Sequence, residues 1–419
     1  SNDVVDKNMA GPGMRYLEMA RALSIDGMDV TLAIPNKTSL TTEIRLLAYD
    51  ENNSESMKVL VENHDYVIIS GHMVKKFPFL NTTFTRIIVD LYDPIFLENL
   101  YYYSNLSLEQ QDKANRDTID VINSLAKIGD YFICGNERQR DLWLGVLAAN
   151  GRINPYTFRD DNSLRKLIDV VGIGIPDRFP QEKPYLRNVH PRFDDESKIV
   201  LWGGGIWNWL DPITLIQAWP MVLSEIPEAR LVFLGTKHPN PAVPEHEMAQ
   251  RAIALAKEIH ELDNTIFFIE WVPYEEREAL LMEANVGITL HSSSLETRYS
   301  IRSRVMDYFW CRLPVLITDG DVTSEWIEKY NVGKIVPPND KSAVSSALIE
   351  LLNSPKDRWR EGFDKISAKM KWNLQIQPLS EYCKRGVYAS DRNNRYYKSE
   401  DGKVMLIVAE PESRIKEAM

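Results

Sequence analysis

The chain has 419 residues, of which 44% are hydrophobic and 26% are charged, and its formal net charge is −11. This composition excludes a globally disordered chain, and the acidic balance argues against a general nucleic-acid-binding protein. The three cysteines are far apart and form neither a zinc pattern nor a disulfide framework, and no apolar run approaches the ~20 residues that span a bilayer. We therefore expect a cytoplasmic protein of two or three domains without a transmembrane segment, with peripheral contact at the inner membrane surface left open.

Short apolar segments alternate with helical patterns along the first half of the chain, which is typical of parallel α/β sheets. Strands are predicted at Val30–Ile34, Tyr66–Ser70, Arg86–Leu91, Tyr131–Cys134 and Leu167–Val171. A helix is predicted at Met14–Leu23. Another helix begins after Asn136, where Gln139 follows at the spacing of a capping box.

Residues 176–195 carry four prolines and no sustained periodicity, which predicts a linker between two domains. The same alternation then resumes. Strands are predicted at Ile199–Trp202, Arg230–Leu234, Thr265–Glu270, Val286–His291, Pro314–Thr318 and Lys334–Val336, and helices at Ile213–Ser224, Met248–Leu262, Glu275–Glu283 and Ser300–Trp310. The predicted fold class is α/β with two consecutive Rossmann-like, doubly wound domains, at 1–175 and 196–375, which face a cleft.

Both ends of the sequence are unusual for this fold. No convincing strand precedes the first helix, whereas Val404–Val408 has the composition of a buried parallel strand. We therefore predict that residues 376–419 return to the first domain as a helix near Gln377–Arg385 and a strand that enters its sheet. The alternative is that the first strand is missing from this sequence and that the tail pairs elsewhere.

Two glycine motifs precede predicted helices. Gly11 and Gly13 lie in a turn before the first helix, and Gly203, Gly204 and Gly205 follow a predicted strand directly. Glycines permit close backbone approach, and a helix N-terminus attracts anions. The alternative interpretation is a plain turn or loop. Neither motif matches a dinucleotide-binding or P-loop fingerprint, which disfavours a dehydrogenase or an NTPase.

A cluster of charged residues follows the strand predicted at Val286–His291. Arginine forks match phosphate oxygens, and carboxylates accept hydrogen bonds from sugar hydroxyls. The cluster comprises Glu296, Arg298, Arg302, Arg304 and Asp307. The alternative is a solvated helix whose arginines pair with acids.

Acidic residues also follow the strand predicted at Arg86–Leu91. Asp90 and Asp93, with Glu98 nearby, could act as acid, base or hydroxyl anchors, or could belong to an Asp-Pro turn. His72 follows another strand and could line the cleft, although a lone histidine is more often structural. The aromatic run at 101–103 could stack on a sugar or a lipid, but packing is the commoner role.

These motifs together resemble the GT-B glycosyltransferases of family 4, and the resemblance covers nearly the whole chain. It is carried by Asn8 through Tyr16, Val171 through Pro176, Leu201 through Gly205, Glu270 through Glu276 and Leu295 through Val315. The resemblance implies that the second domain binds a nucleotide-diphosphate sugar, with Gly203–Gly205 near its phosphates and Trp271 and Val272 near its base. It also implies that the first domain binds the acceptor, that transfer retains the anomeric configuration, and that neither a metal nor another cofactor is needed.

The sequence departs from the family pattern at the donor site. The arginine and lysine that usually follow the glycine loop are replaced around Trp207 and Asp211. The negative charge of the phosphates would therefore have to be met by Arg298, Arg302 or Arg304. Tyr92 or Asp93 stands where an acceptor-side histidine is common. The leading hypothesis is a transferase of polysaccharide biosynthesis that acts on a saccharide, lipid-linked or small-molecule acceptor. The alternatives are an inactive sugar-nucleotide-binding subunit and a sugar-nucleotide epimerase.

Overall fold

The computed structural model describes residues 1, 3–241, 243 and 246–392, and two short strands beyond them at 396–398 and 404–406. The first half contains α1 (Gly11–Ile25), β1 (Thr31–Ile34), β2 (Arg45–Ala48), α2 (Ser54–Glu62), β3 (Tyr66–Ile69), α3 (Met73–Lys76), β4 (Arg86–Asp90), α4 (Ile95–Tyr102), α5 (Leu108–Ile128), β5 (Tyr131–Cys134), α6 (Glu137–Ala149), α7 (Pro155–Asp160) and β6 (Ile168–Val170).

The second half contains β7 (Lys198–Trp202), α8 (Pro212–Glu225), β8 (Ala229–Leu234), α9 (Glu247–Glu258), β9 (Ile266–Ile269), α10 (Arg277–Glu283), β10 (Val286–Thr289), α11 (Leu295–Tyr299), α12 (Ser303–Trp310), β11 (Val315–Thr318), α13 (Val322–Tyr330), β12 (Gly333–Val336), α14 (Lys341–Asn353) and α15 (Arg360–Ser367). The last elements are α16 (Trp372–Gln375), α17 (Gln377–Arg385), β13 (Tyr396–Lys398) and β14 (Val404–Leu406). Turns of 3₁₀ helix lie at Pro78–Asn81 and Lys356–Trp359.

The second domain is a six-stranded parallel sheet with the order β12-β11-β10-β7-β8-β9. Its central strands are buried along their length, as expected for apolar strands covered by helices on both faces. Strands β7, β8 and β9 follow one another toward one edge of the sheet, and β10, β11 and β12 follow one another toward the other edge. The strand order therefore reverses between the neighbours β7 and β10, and ligands of such sheets bind at this switch point, beyond the carboxyl ends of the strands.

The first domain holds two separate parallel sheets, the pair β1-β2 and the four-stranded β3-β4-β5-β6. Helix α17 packs on the second of these, where Tyr382 stacks on Tyr131 with ring centroids 4.2 Å apart. The chain therefore returns to the first domain after the second. Residues 171–197, between β6 and β7, contain no helix or longer strand, and we propose that they form the interdomain linker.

The prediction that Val404–Val408 enters the first sheet is wrong for the part that the structure describes. Val404–Leu406 pairs antiparallel with Tyr396–Lys398 in a separate two-stranded sheet, and residues 407 and 408 lie outside the described range. The observed partner is only a few residues away along the chain. Closing so short a loop costs little entropy, whereas the composition of a strand does not specify its partner.

Candidate active site

A cavity of about 460 Å³ lies between the two domains, at the switch point of the second sheet. Its lining includes the glycine loop after β7, the segments that follow β8, β9 and β10, the start of α1 and the segment after β4. The strand ends of both domains thus meet around one space. The predicted residues that line it are Gly11, Tyr92, Asp93, Gly203, Gly204, Gly205, Trp271, Val272, Glu296, Arg302, Arg304 and Asp307.

Four predicted site residues lie away from this lining. Asp90 is buried in a two-pronged ion pair with Arg15, at 2.8 and 3.0 Å. His72 is paired with Asp117 on the surface, at 3.0 Å. A Cβ at Gly13 would lie 2.3 Å from the Val4 carbonyl oxygen, so this glycine permits close packing of the N-terminal loop. Arg298, the fourth, is exposed.

Tyr308, a buried residue of α12, holds the glycine loop by a hydrogen bond. The Tyr308 hydroxyl accepts a hydrogen bond from the Gly203 N–H at 2.8 Å and lies 3.1 Å from the carbonyl oxygens of Leu201 and Ile288. A Cβ at Gly287 of β10 would meet the Tyr308 ring at 2.7 Å. Tyr308 therefore fixes the loop across the switch point, a role that the sequence analysis did not identify.

Gly235, directly after β8, is a second residue that the sequence analysis missed. Its φ is +71°, in the left-handed region, and a Cβ there would lie 2.9 Å from the Gly205 nitrogen. A side chain would therefore strain the backbone and push against the glycine loop.

Gly235→Ala should lower both the melting temperature and the affinity for a nucleoside diphosphate. The left-handed backbone alone costs about 1–2 kcal/mol, or several degrees. The matched control is Gly145→Ala, because Gly145 lies inside α6 with nothing within 4 Å of its Cβ position and alanine favours helix. Differential scanning fluorimetry and calorimetric titration measure both effects, and equal behaviour of the two variants would contradict this role for Gly235.

Arg304 lies against the glycine loop as a buried cation. Its guanidinium donates to the Gly205 carbonyl oxygen at 2.7 Å and lies 3.5 Å from that of Gly204. Within the described part of the chain, no carboxylate pairs with it. Burial, and then repulsion from Arg302, lower the pKa of Arg304 to about 10. Its positive charge is therefore uncompensated inside the protein.

Arg302, by contrast, is neutralised by neighbouring acids. Its guanidinium forms two hydrogen bonds with Glu296, at 2.8 and 3.0 Å, and lies 3.3 Å from Asp321. Burial opposes its charge, but these carboxylates raise the pKa of Arg302 above its usual value. Glu296 is 1% exposed and is held in place by this network.

Asp307 is also paired. Its carboxylate lies 3.0 Å from Arg277, whose guanidinium stacks over the Tyr274 ring at 3.7 Å. Burial raises the pKa of Asp307, and Arg277 counteracts part of this shift. Tyr274 in turn donates to Glu18 of the first domain at 2.7 Å, so this network ties the two domains together on one side of the cavity.

Two acids from the first domain, Asp93 and Glu98, line the cavity, and neither forms an ion pair with an arginine among the described residues. Burial, with a smaller contribution from Asp90, raises the pKa of Asp93 to about 7, although the Tyr92 hydroxyl opposes the shift. Burial and the charges of Asp93 and Glu296 raise the pKa of Glu98 well above its usual value. Asp93 can therefore hold or exchange a proton near neutral pH, and the surroundings of Glu98 favour its protonated form.

A contact across the other side of the cleft fixes the segment that carries Glu296. Gln139, at the start of α6, donates from its side-chain nitrogen to the carbonyl oxygens of Tyr92 and Tyr299, at 2.7 and 2.9 Å. Its side-chain oxygen accepts from the Gly135 N–H instead of completing the predicted capping box, although Asn136 does cap the helix.

The second domain matches the family model described as glycosyl transferases group 1, over residues 197–354. Solved structures match almost the whole chain with the GT-B arrangement of two domains. The chain has the GT-B fold. The sequence-based assignment of fold class is thus confirmed, and the match of residues 197–354 agrees with the predicted enzyme class and family. That family uses nucleotide-sugar donors.

Three structures similar to this chain illustrate the match. Sucrose-phosphate synthase from Thermosynechococcus elongatus has a TM-score of 0.62 and 16% identity, covering 92% of this chain and 96% of the other. HepE of Anabaena, solved with UDP and glucose, has a TM-score of 0.61 and 12% identity, covering 92% of this chain and 100% of the other. WaaG, a glycosyltransferase involved in lipopolysaccharide biosynthesis, has a TM-score of 0.58 and 13% identity, covering 90% of this chain and 97% of the other. At such identities the likeness shows the fold alone.

No curated protein matches this sequence. No helix in the described part of the chain is long and apolar enough to cross a membrane. Among the described residues, His, Cys, Asp and Glu form no group of three that could hold a metal ion.

Proposed function

We propose that this protein is a glycosyltransferase that moves a sugar from a nucleotide-diphosphate donor to a hydroxyl of a saccharide, lipid-linked or small-molecule acceptor, with retention of anomeric configuration. The observation that carries the proposal is the uncompensated guanidinium of Arg304 against the glycine loop, at the sheet's switch point. A buried charge without a counter-ion is costly, so a cation in this position favours an anionic ligand.

The donor diphosphate is the anion that fits this position. The N–H groups of Gly203 and Gly204 already donate to the Tyr308 hydroxyl and the Trp202 carbonyl oxygen. The diphosphate oxygens would accept hydrogen bonds from Arg304, since a guanidinium matches phosphate geometry, and from the backbone N–H of Gly205. These contacts would strengthen as the diphosphate leaves and its charge grows, which lowers the barrier to transfer.

The remaining donor roles follow the arrangement of the lining. Trp271 and Val272, after β9, would border the base, and Asp307 would accept from the ribose. Glu296 would accept from hydroxyls of the transferred sugar. Arg302 is already held by Glu296 and Asp321, so we assign it to orienting Glu296 rather than to binding phosphate.

Asp93 is the proposed acceptor-side group. In the reaction, the bond between the anomeric carbon and the diphosphate oxygen breaks and a bond to the acceptor oxygen forms. The acceptor hydroxyl must lose its proton, and ionised Asp93 would orient that hydroxyl and accept the proton. Asp90 would support Arg15 instead, since the two are locked in their buried ion pair.

An inactive sugar-nucleotide-binding subunit is the second candidate. It is favoured by the pairing of Arg277 and Arg302 with acids, which leaves Arg304 alone to meet phosphate charge among the arginines of the described lining. Turnover of a donor would distinguish the transferase from the inactive subunit. A product whose sugar is altered but still linked to the nucleotide would indicate an epimerase.

A thermal-shift screen with UDP, GDP, TDP, ADP and CMP tests donor binding, because a ligand of the native state raises the melting temperature by mass action. UDP is the first choice, since the similar HepE structure contains it. We expect one nucleoside diphosphate to stabilise the wild-type protein and not Arg304→Ala. The absence of a shift with all five would contradict the proposal.

Removal of divalent metal should leave the activity intact. The proposed leaving-group stabilisation relies on Arg304 and backbone N–H groups rather than on a metal ion. We therefore expect less than a twofold change in initial rate after dialysis against EDTA. A loss of activity that Mg²⁺ or Mn²⁺ restores would contradict the metal-independent mechanism.

A further inference from the structure

The start of α13, just after β11, holds Arg302 from behind the cavity. It carries Asp321 and Thr323, which are fully buried and lie outside the cavity lining. The Thr323 hydroxyl accepts a hydrogen bond from the Arg302 backbone N–H at 3.2 Å and donates to Asp321 Oδ2 at 3.0 Å. The same Oδ2 lies 3.3 Å from Arg302 Nε. The start of α13 therefore holds both the main chain and the side chain of Arg302.

Asp321 uses both of its carboxylate oxygens. Oδ1 accepts a hydrogen bond from the Ser324 N–H at 2.7 Å and caps α13, whereas Oδ2 faces Arg302 and Thr323. His291 Nε2 also lies 3.6 Å from Oδ2. Burial, and then repulsion from Arg302, lower the pKa of His291 well below its usual value, so this imidazole is neutral at pH 7. The charge of Asp321 is therefore met by Arg302.

Arg302 passes this constraint on to Glu296. The two terminal nitrogens of its guanidinium donate to the two Glu296 oxygens at 2.8 and 3.0 Å, while Asp321 faces Nε. A planar guanidinium held on two sides has a fixed orientation. Glu296 lines the cavity, and its carboxylate cannot turn without breaking this two-pronged pair.

We propose that Asp321 is a positioning residue that sets, through Arg302, the orientation of Glu296 toward the transferred sugar. This inference rests on the proposed transferase function, which assigns Glu296 to the hydroxyls of that sugar. A free nucleoside diphosphate lacks the sugar. Loss of Asp321 should therefore impair use of the sugar nucleotide and leave binding of the nucleoside diphosphate unchanged, whereas general damage to the fold would weaken both.

Asp321→Asn separates this role from helix capping. Asparagine caps helices as well as aspartate does, but its single side-chain oxygen cannot serve Ser324 and Arg302 together. We expect kcat/KM for the sugar nucleotide to fall by about 10- to 100-fold, because small displacements of a contacting group are costly in rate. The Kd of the matching nucleoside diphosphate should change less than about twofold. Initial rates and calorimetric titration measure the two constants.

Asp340→Asn is the matched control, since Asp340 caps α14 by accepting from the Ala343 N–H at 2.9 Å and lies outside the cavity lining. Both constants should keep their wild-type values in it. Thr323→Val removes the hydroxyl that holds Arg302 and should lower kcat/KM, whereas Thr323→Ser keeps this hydroxyl and should restore it. A melting curve for each variant verifies folding. Wild-type kcat/KM in Asp321→Asn and Thr323→Val, or equal losses for the sugar nucleotide and the nucleoside diphosphate, would overturn the inference.

A crystal structure of unliganded Asp321→Asn tests the positioning without any turnover. We expect the Glu296 carboxylate to leave its two-pronged pair with Arg302. An unchanged pair in the variant would overturn the inference. Failure of the wild-type protein to turn over any donor would instead count against the proposed transferase function, whatever the orientation of Glu296 in the variant.

Discussion

Asp93→Asn should lower kcat by about 100- to 10,000-fold while leaving the affinity for the nucleoside diphosphate nearly unchanged. General base catalysis contributes roughly this factor, and the amide cannot accept the proton. The side chain lines the cavity from the first domain, whereas the glycine loop belongs to the second. Initial rates at saturating donor, with calorimetric titration of the nucleotide, measure the two effects.

The pH profile follows from the same assignment. Burial raises the pKa of Asp93 to about 7, and the proposed role requires the ionised form. The wild-type rate should therefore rise as pH increases through about 7 and fall tenfold per unit below it, and Asp93→Asn should lose this dependence. The control is His72→Ala, which alters a surface pair outside the lining. A wild-type rate in Asp93→Asn, or a profile that falls with increasing pH through 7, would contradict the assignment.

Arg304→Ala should weaken nucleoside-diphosphate binding by about 1.5–3 kcal/mol, or roughly 10- to 150-fold in Kd, because a charge-assisted hydrogen bond in a buried site is lost. The fold should tolerate the change well, since the variant removes a buried charge that has no carboxylate partner in the described structure.

The chain offers two comparisons for this variant. Arg298→Ala removes an exposed arginine of the same segment and should leave Kd unchanged. Arg302→Ala leaves Glu296 and Asp321 without their partner, so it should destabilise the protein as well as impair turnover. Equal Kd values for the wild type and Arg304→Ala would remove Arg304 from the phosphate site.

Much of the fold could be predicted because its strands are buried on both faces. Tyr131–Cys134 is observed at its predicted bounds, and most other strands differ by one or two residues. The predictions failed where local pattern was weak. The strand Arg45–Ala48 is half-exposed, and the polar helix Leu108–Ile128 buries mainly residues of its second half. The helix predicted at Ser300–Trp310 begins only at Ser303, after a separate short helix.

The site could be predicted only as a set of strand-end residues. Strand ends converge at the switch point of any such sheet, so Gly203, Glu296 and Asp93 could be placed by topology. The sequence does not reveal which arginine of the site lacks a carboxylate partner among the described residues. Which arginine remains unpaired depends on ion pairs such as that of Arg277 with Asp307. Tertiary packing alone brings these two residues together. The same is true of Gly235, whose left-handed backbone leaves no composition signal.

A donor-turnover assay tests the proposed sugar transfer directly. Purified protein is incubated with UDP-, GDP-, TDP- and ADP-linked sugars, with and without methyl glycosides as acceptors, and the products are identified by mass spectrometry. We expect the wild-type protein to release a nucleoside diphosphate from at least one donor and to extend an acceptor by one sugar, and we expect Arg304→Ala and Asp93→Asn to lose both activities. Tight nucleotide binding without turnover of any donor would contradict the proposed transfer and would identify the chain as a binding subunit.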